Sequence, residues 1–269
     1  MARERIALFP DAERPIVFGH RGYSALAPEN TLAAFRLLLE RGIPAVELDI
    51  HRCGTGEIVV IHDHELSRLT GEGGVVEELP LEELRRRSAG AWFGPQFASE
   101  RIPLLTEVFS LLGTELYYDI EIKHEEHRPS GIEEPLARLI DEFGLEQQVM
   151  VSSFNPYPVK AFADLGTGIP TAMIYSNSRS VPPLLRNGQG RFIARCDVLK
   201  PAARKINAVT RFWYTRVERY PLVTWTVNDP AEVDRLSALE IDGLISDDPG
   251  MVLERLASLN EAAGVEAGT

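Results

Sequence analysis

Three carboxylates interrupt apolar, strand-like runs of this 269-residue chain. Glu47 and Asp49 stand two residues apart in "AVELDI" (45–50), and Glu121 lies within "ELYYDIEI" (115–122). Alternate residues of a strand point to the same side, so Glu47 and Asp49 share a face. Two carboxylates about 4 Å apart repel by roughly 4 kcal/mol at an effective dielectric of 20, which calls for a positive partner. A divalent cation would provide it, and an all-oxygen ligand set favours Mg²⁺ or Ca²⁺ over zinc.

Two histidines and two cationic residues accompany these acids. His20 ends the run "PIVFGH" and His62 ends "EIVVIH". A single histidine at a strand end is commonly structural, but a pair beside carboxylates can take one proton and give another. Arg21 follows His20 directly, and its guanidinium matches the geometry of phosphate or carboxylate. Lys123 shares a face with Glu121 and would add a second positive charge.

Plainer interpretations exist for the same residues. The carboxylates could be ordinary strand residues that face water or pair with arginines, although three of them inside apolar strands favour a functional role. The triplet "HDH" (62–64) raises a zinc-hydrolase hypothesis. That hypothesis needs further histidines on later strands, and only His124 and His127 follow, in a polar segment expected to be exposed.

The C-terminal third adds two short motifs. Trp225, in "VTWTVND" (223–229), could form a pocket wall, and Asn228 could donate from its amide or cap a helix. Asp247 and Asp248 follow the last strand-like run, where turn chemistry explains them at least as well as catalysis.

The elements that must position these residues alternate between apolar strands and amphipathic helices. The strand-like runs cover 15–20, 45–50, 57–62, 115–122, 149–154, 171–176, 191–196, 222–227 and 242–246. Only the short segment 51–56, which ends in "CGTG", separates the second run from the third, so no crossover helix fits there and the third run is a hairpin-like extension. Eight strand positions remain, which predicts an α/β fold, a (β/α)8 TIM-type barrel. A doubly wound sheet is the alternative, but no glycine-rich nucleotide fingerprint follows the first strand.

One domain is expected to span residues 1–269. The segment 64–103 is rich in Glu, Gly and Arg and fits neither repeating element, which predicts a small insertion after the second strand. The small, polar tail 260–269 is expected to fray. Gly42, Gly144 and Gly166 are predicted helix C-caps.

Composition limits the class of partner and the compartment. The chain carries 28 Lys and Arg against 40 Asp and Glu, a net charge of −12, which disfavours nucleic acid and anionic lipid as partners. No run approaches the ~20 apolar residues of a membrane span, and the N-terminal apolar stretch is too short for a signal-peptide core. Two cysteines, Cys53 and Cys196, form no disulfide framework. A cytoplasmic location without membrane insertion is therefore predicted.

Nine short motifs, in order along nearly the whole chain, resemble the glycerophosphodiester phosphodiesterase family. They are "HRG" (20–22), "PENT" (28–31), "ELD" (47–49), "VVIHD" (59–63), "LSRLTG" (66–71), "IEIK" (120–123), "SSF" (152–154), "WTVN" (225–228) and "DGLISDDP" (242–249). The sequence departs from the family pattern in the hairpin turn at 53–55 and at Ser246 and Asp248. These departures leave the candidate metal and acid–base residues intact.

The resemblance implies a TIM-type barrel with an insertion after its second strand, and Ca²⁺ or Mg²⁺ bound by Glu47, Asp49 and Glu121. It implies that His20 and His62 are the acid–base pair, and it assigns the other roles as follows: Arg21 and Lys123 hold phosphate oxygens, and Trp225 lines the glycerol end. The expected reaction is metal-dependent hydrolysis of a small glycerophosphodiester to glycerol 3-phosphate and an alcohol.

Two other functions remain open. A lysophospholipase D acting on lysolipids would need an apolar patch beside the site, for which the insertion offers the residues Leu79, Leu81, Leu84, Trp92 and Phe93. A non-catalytic phosphodiester-binding protein would bind its ligand without consuming it. The sequence leaves open the headgroup, the native metal, which histidine is the acid, whether a cyclic phosphate forms, and the oligomeric state.

Overall fold

A barrel of eight parallel strands forms the centre of the molecule, whose computed structural model describes residue 6, residues 8–178 and residues 181–267. The strands run in the sheet order β7-β6-β5-β4-β2-β1-β9-β8. Parallel bridges between Leu199 and Leu222 and between Ala202 and Trp225 join β7 to β8 and bring the sheet's two ends together. The strands are β1 (Ile16–His20), β2 (Ala45–Arg52), β3 (Ile58–Val60), β4 (Tyr117–Ile122), β5 (Val149–Ser153), β6 (Thr171–Tyr175), β7 (Val198–Pro201), β8 (Val223–Thr224) and β9 (Gly243–Ser246).

One strand, β3, lies outside this parallel order. β3 pairs antiparallel with β2, which confirms the predicted hairpin. The α-helices are α1 (Leu32–Glu40), α2 (Ser67–Thr70), α3 (Leu81–Arg86), α4 (Leu105–Leu112), α5 (Glu133–Glu142), α6 (Pro156–Ala163), α7 (Arg191–Ala194), α8 (Ala208–Phe212), α9 (Pro230–Ser237) and α10 (Pro249–Ala267). Gly42 and Gly144 directly follow the C-cap residues of α1 and α5, each with a φ of 64°, as predicted for helix ends, whereas Gly166, with a φ of 69°, lies two residues beyond the C-cap Asp164 of α6.

The seventh barrel strand is not where the sequence pattern placed it. The run 191–196 is not a strand: residues Arg191–Ala194 form the single turn α7, and β7 begins at Val198. Arg191 and Ala194, three residues apart, are buried, whereas the two apolar residues between them are exposed. That spacing belongs to a helix, and an apolar run alone did not distinguish it from a strand.

The insertion 64–103 forms a lobe around its own apolar cluster. Leu66, Leu69, Val76 and Leu84 are buried there together with side chains from the β2–β3 hairpin. Leu79 and Leu81 pack against the same cluster. The lobe therefore lies on the hairpin that leads to His62. The description of residues 1–269 as one domain stays a prediction.

The chain's C-terminal segment and its cysteines complete the fold. α10 extends to Ala267, through most of the tail expected to fray, and residues 268–269 lie outside the described residues. Fraying of this tail stays a prediction. Cys53 and Cys196 are both buried and free. Within the described part of the chain, no helix has both the length and the apolarity needed to cross a bilayer.

Candidate active site

The structure brings the three predicted carboxylates together inside the barrel, near the carboxyl ends of its strands. Glu47 pairs in register with His20 of β1, and Asp49 pairs with Glu121 of β4. All three acids are buried, and one carboxylate oxygen from each lies within 4.8 Å of the others. The period-two spacing of Glu47 and Asp49 thus places both on one face, as predicted, and that face is the interior of the barrel.

Two cations partly balance this cluster. The Lys123 ammonium donates to Glu121 Oε1 at 2.7 Å and lies 3.3 Å from Asp49 Oδ1. Arg21 Nε lies 3.4 Å from Asp49 Oδ2, and the Asn30 amide donates to the same oxygen at 2.9 Å. The sequence pattern predicted the shared face of Lys123 and Glu121, and the structure confirms it.

The buried acids do not share their charge equally. Burial opposes ionisation of Asp49, but the charges of Lys123, His62 and Arg21 outweigh it and hold the pKa of Asp49 well below its usual range. Burial, followed by repulsion from Asp49, raises the pKa of Glu47 to about 7. The protein's own cations therefore stabilise one of these two neighbouring charges much better than the other.

The donor set fits a hard divalent cation. Three carboxylates from β2 and β4 offer oxygen ligands only, within the spread that one ion can span. A cation there would also compensate the Glu47 charge, which burial and Asp49 disfavour. The residues that would hold it are Glu47, Asp49 and Glu121, and this ligand role stays a proposal.

The turn after β1 places Arg21 over the cluster. Arg21 has a φ of 57°, in the left-handed region, and its backbone N–H donates to Glu47 Oε2 at 3.2 Å. Its guanidinium donates to Glu29 Oε1 at 2.8 Å. Gly22 has a φ of 89°, and a Cβ there would lie 2.7 Å from that of Ala34, so only glycine fits. The motif "HRG" is therefore explained by backbone geometry as well as by charge.

Each candidate catalytic histidine has its own carboxylate. His20 Nδ1 lies 2.5 Å from Asp247 Oδ1, and its Nε2 lies 3.9 Å from Glu47 Oε2. His62 Nδ1 lies 2.5 Å from Asp63 Oδ1. A carboxylate on Nδ1 fixes the ring's orientation and leaves Nε2 for a reacting proton.

The two histidine settings shift the imidazole pKa in opposite directions. Burial alone would lower the pKa of His20, but its hydrogen bond to Asp247 and the charge of Glu47 outweigh burial and raise it. Burial also acts on His62, and together with the charges of Lys123 and Arg21 it lowers that pKa. One imidazole is thereby biased toward the protonated form and the other toward the neutral form.

The candidate residues meet at one cavity, which adjoins a large open cleft. A small cavity of about 40 Å³ is lined by His20, Arg21, Glu47, His62, Glu121, Lys123 and Trp225, among others. Several of the same residues also line the cleft, whose volume is about 1150 Å³. Trp225 donates from Nε1 to the Lys200 carbonyl at 3.0 Å and meets the Phe154 ring edge to face. It forms the pocket wall that the sequence suggested.

The two histidines of the "HDH" motif lie in different clusters. His62 turns to Asp63, whereas His64 Nδ1 lies 2.8 Å from Glu77 Oε1 in the insertion lobe. His51 Nδ1 lies 2.5 Å from that same oxygen. His124 and His127 line the cleft instead of completing a metal site with His62.

Sequence reasoning missed a buried charge network at the barrel centre. The Lys200 ammonium forms an ion pair with Asp119 and donates to Ser152 Oγ at 3.0 Å. Ser152 in turn donates to Asp119 Oδ1 at 2.7 Å. Lys200 was hidden because β7 was assigned to the wrong run. A lysine within the short apolar segment "DVLKP" (197–201) is the signal that could have revealed it.

Asp247 and Asn228 also have a role beyond forming a turn and capping a helix. Asp247 accepts from His20, from Ser24 Oγ at 3.2 Å, and from the Asn228 amide at 2.5 Å. Asp229, not Asn228, caps α9. Asn228 therefore holds the carboxylate that orients His20.

Comparison with known proteins identifies the family. Residues 20–251 match the model of the glycerophosphoryl diester phosphodiesterase family. The chain belongs to this family. A glycerophosphodiester phosphodiesterase of Caldanaerobacter subterraneus is 33% identical over 250 residues, covering 88% of this chain and 95% of that protein. One of Bacillus altitudinis is 30% identical over 240 residues, covering 87% and 94%.

Solved structures of this phosphodiesterase family share the barrel. A phosphodiesterase of Oleispira antarctica, in complex with the product sn-glycerol-3-phosphate, superposes with a TM-score of 0.76 at 28% identity. The match covers 90% of this chain and 97% of that one. The predicted family and the predicted TIM-type barrel are both confirmed.

Proposed function

We propose that this family member hydrolyses glycerophosphodiesters, such as glycerophosphocholine, to glycerol 3-phosphate and an alcohol. The observation that carries the proposal is the meeting, at one cavity, of two carboxylate-paired histidines, two cations and buried acids. The Oleispira antarctica phosphodiesterase, whose structure holds sn-glycerol-3-phosphate, supports the same class of substrate.

A divalent cation, Ca²⁺ or Mg²⁺, is part of the proposal, with Glu47, Asp49 and Glu121 as its ligands. When bound, the cation supplies Lewis-acid polarisation of the phosphodiester and lowers the pKa of an attacking hydroxyl or water. Because the cluster is buried, the acids would be presented to the ion with little reorganisation.

Charge on the phosphodiester would be held by Arg21 and Lys123. Both line the small cavity beside the two histidines. Arg21 is anchored by Glu29, and Lys123 by Glu121, so both cations are positioned before substrate arrives. Preorganised cations stabilise the charge that grows on phosphoryl oxygens during displacement.

Proton transfer would fall to the two histidines. The nucleophile, either water or the glycerol 2-hydroxyl, gives its proton to one imidazole, and the leaving alkoxide takes a proton from the other. The opposite pKa shifts support His20 as the acid and His62 as the base. Trp225 would hold the glycerol moiety against the wall that it forms with Phe154.

Hydrolysis of lysolipids is the second candidate, because apolar side chains contribute to the lining of the cleft. They include Phe154, Val181, Leu185 and Trp225. Of the insertion residues on which this alternative first rested, Leu79, Leu81 and Leu84 belong to the lobe's own cluster, while Trp92 is exposed and meets the Phe93 ring edge to face. A panel of lysolipids and water-soluble diesters distinguishes the two activities by rate.

The decisive experiment measures glycerol 3-phosphate release from several diesters by metal-stripped protein, before and after adding Ca²⁺, Mg²⁺ or Mn²⁺. We expect turnover only with metal, and its loss in His20→Ala, His62→Ala and Glu121→Ala with unchanged circular dichroism. His127→Ala, a cleft histidine outside the small cavity, is the matched control and should retain activity. Near-normal turnover in any of the three site variants would refute the assignment, and binding without consumption of any diester would indicate a non-catalytic protein.

A further inference from the structure

Exposed apolar side chains concentrate in one part of the molecule. Ten large hydrophobic residues are exposed among those described, and seven of them lie between residues 184 and 217. They are Leu184, Phe192, Ile193, Val209, Phe212, Trp213 and Val217. Leu184 and Val209 are 82% and 77% exposed. Scattered exposed apolar residues are ordinary, but a concentration of this kind marks an interaction surface.

The same stretch of chain reverses the charge of the protein. Residues 184–217 contain eight Lys and Arg but one Asp and no Glu, while the rest of the sequence has 20 basic and 39 acidic residues. Two of the eight, Arg191 and Lys200, are buried and paired with acids, and Arg195, Arg204 and Arg216 are exposed. The net charge of −12, which predicts repulsion of anionic lipid, therefore averages over two unlike surfaces.

Hydrogen bonds tie the two halves of this stretch into one surface. The Arg191 guanidinium donates twice to Glu218, at 3.0 Å each, and Trp213 Nε1 donates to Glu218 Oε1 at 2.8 Å. Lys205 Nζ donates to Asn187 Oδ1 at 2.9 Å. The turns after β6 are thereby joined to the helical segment after β7, and we call the result the 184–217 surface.

The 184–217 surface adjoins the cleft. Leu185 and Arg204, which belong to the two joined segments, line the cleft described above. Both segments follow the carboxyl ends of barrel strands, where the candidate site also lies. A partner held on this surface would therefore lie beside the opening to the site.

We propose that the 184–217 surface binds reversibly to anionic phospholipid bilayers. Exposed Phe and Trp side chains among arginines are the combination that interfacial segments present to headgroups and acyl chains. Charge complementarity favours an anionic bilayer over a second copy of the chain, because a symmetric contact would oppose basic residues to basic residues. Binding would hold the cleft next to the lipids and the water-soluble diesters made from them.

Flotation with large unilamellar vesicles tests this proposal. The wild-type protein should float with vesicles that contain phosphatidylglycerol, bind at least tenfold less to pure phosphatidylcholine, and detach as salt is raised. The pairs Val209→Ser with Phe212→Ser and Arg195→Glu with Arg216→Glu should each weaken binding about tenfold or more. Leu165→Ser, an exposed apolar residue outside the surface, is the matched control.

Failure of this proposal is distinguishable from failure of the proposed function. The variants lie outside the candidate catalytic residues, so their turnover of soluble glycerophosphocholine should equal that of wild type. Wild-type protein that stays unbound with phosphatidylglycerol vesicles overturns the proposal, as does binding that the variants leave unchanged. A dimer in light scattering that Val209→Ser with Phe212→Ser dissociates, without vesicle binding, overturns it in favour of self-association.

Discussion

His20 and His62 share one cavity but have separate carboxylates and different electrostatic surroundings. Asp247 and Glu47 both face His20, while Lys123 and Arg21 act on His62 together with Asp49 and Asp63. Opposite pKa shifts widen the pH range over which one imidazole is protonated and the other neutral, and they fix which of the two gives the proton. The asymmetry of the neighbouring charges is therefore as important to the proposed chemistry as the histidines themselves.

Asp247→Asn should shift the pH profile of turnover. The carboxylate raises the pKa of His20, so the amide should lower it, and the proposed acid would lose its proton at a lower pH. Activity that needs protonated His20 falls as pH rises through this pKa, so the high-pH limb should move to lower pH. We expect about a 100-fold loss of kcat/KM at pH 8, measured across a pH series.

The neighbouring Asp248 provides the control for that shift. It accepts from the Tyr23 hydroxyl at 2.7 Å and does not contact His20 among the hydrogen bonds of the described residues. Asp248→Asn should leave the high-pH limb in place. An Asp247→Asn limb that coincides with that of wild type contradicts the assignment of His20 as the acid.

Lys200 and Asp119 form a buried pair whose members depend on each other. Both side chains are essentially inaccessible, so Lys200→Met would leave the Asp119 carboxylate without its cation. Breaking a buried pair on one side costs about 3–5 kcal/mol, and we expect that loss in the free energy of unfolding measured with urea. Adding Asp119→Asn should recover part of it. A single variant as stable as wild type would show that this pair contributes little.

At the scale of elements, side chains of the insertion lobe contact residues of the candidate site: Arg68 pairs with Asp63 and Glu29, and Glu77 acts through His51. Glu77 Oε1 lies 2.5 Å from His51 Nδ1, and His51 Nε2 lies 3.2 Å from the carbonyl of His62. A carboxylate on Nδ1 orients the His51 ring so that it can hold the backbone that presents His62. Glu77 is thus a candidate positioning residue, contributed by the lobe to the barrel.

Glu77→Gln should lower kcat about tenfold and leave KM nearly unchanged, because it loosens His62 without touching substrate. Steady-state kinetics on glycerophosphocholine measure both constants. Glu78→Gln, the exposed neighbour, should behave as wild type. A rise in KM alone would mean that Glu77 acts on substrate binding and not on the position of His62.

Strands with long apolar runs could be predicted from the sequence. A short apolar run that forms a helical turn, and a contact between residues far apart in the sequence, could not. β2 and β4 were found because their apolar runs are long, and their interior acids stand out against them. β7 was misplaced because Phe192 and Ile193 read as strand residues, although both are exposed on a helical turn. Asp247 acts on His20 across 227 positions of sequence, a contact that only barrel closure creates.

At the scale of the whole molecule, charge is sorted into distinct places. An acidic exterior surrounds a barrel in which three acids, two histidines and two cations are buried or half-buried together. The 184–217 surface carries the opposite sign. Local arrangement therefore decides which anions approach, and the net charge does not.

Metal should stabilise the whole chain, since an ion held by buried acids binds the folded state and not the unfolded one. At about 100 times its Kd, such a ligand adds about 2.7 kcal/mol, which raises the Tm of a protein of this size by about 6 °C. Calorimetry of metal-stripped protein, with and without Ca²⁺, Mg²⁺ or Mn²⁺, measures this without any substrate. Glu121→Gln should abolish most of the shift, while Asp234→Asn, which removes a surface ion pair with Arg255, should retain it. An equal shift in Glu121→Gln and wild type would place the ion elsewhere than among Glu47, Asp49 and Glu121.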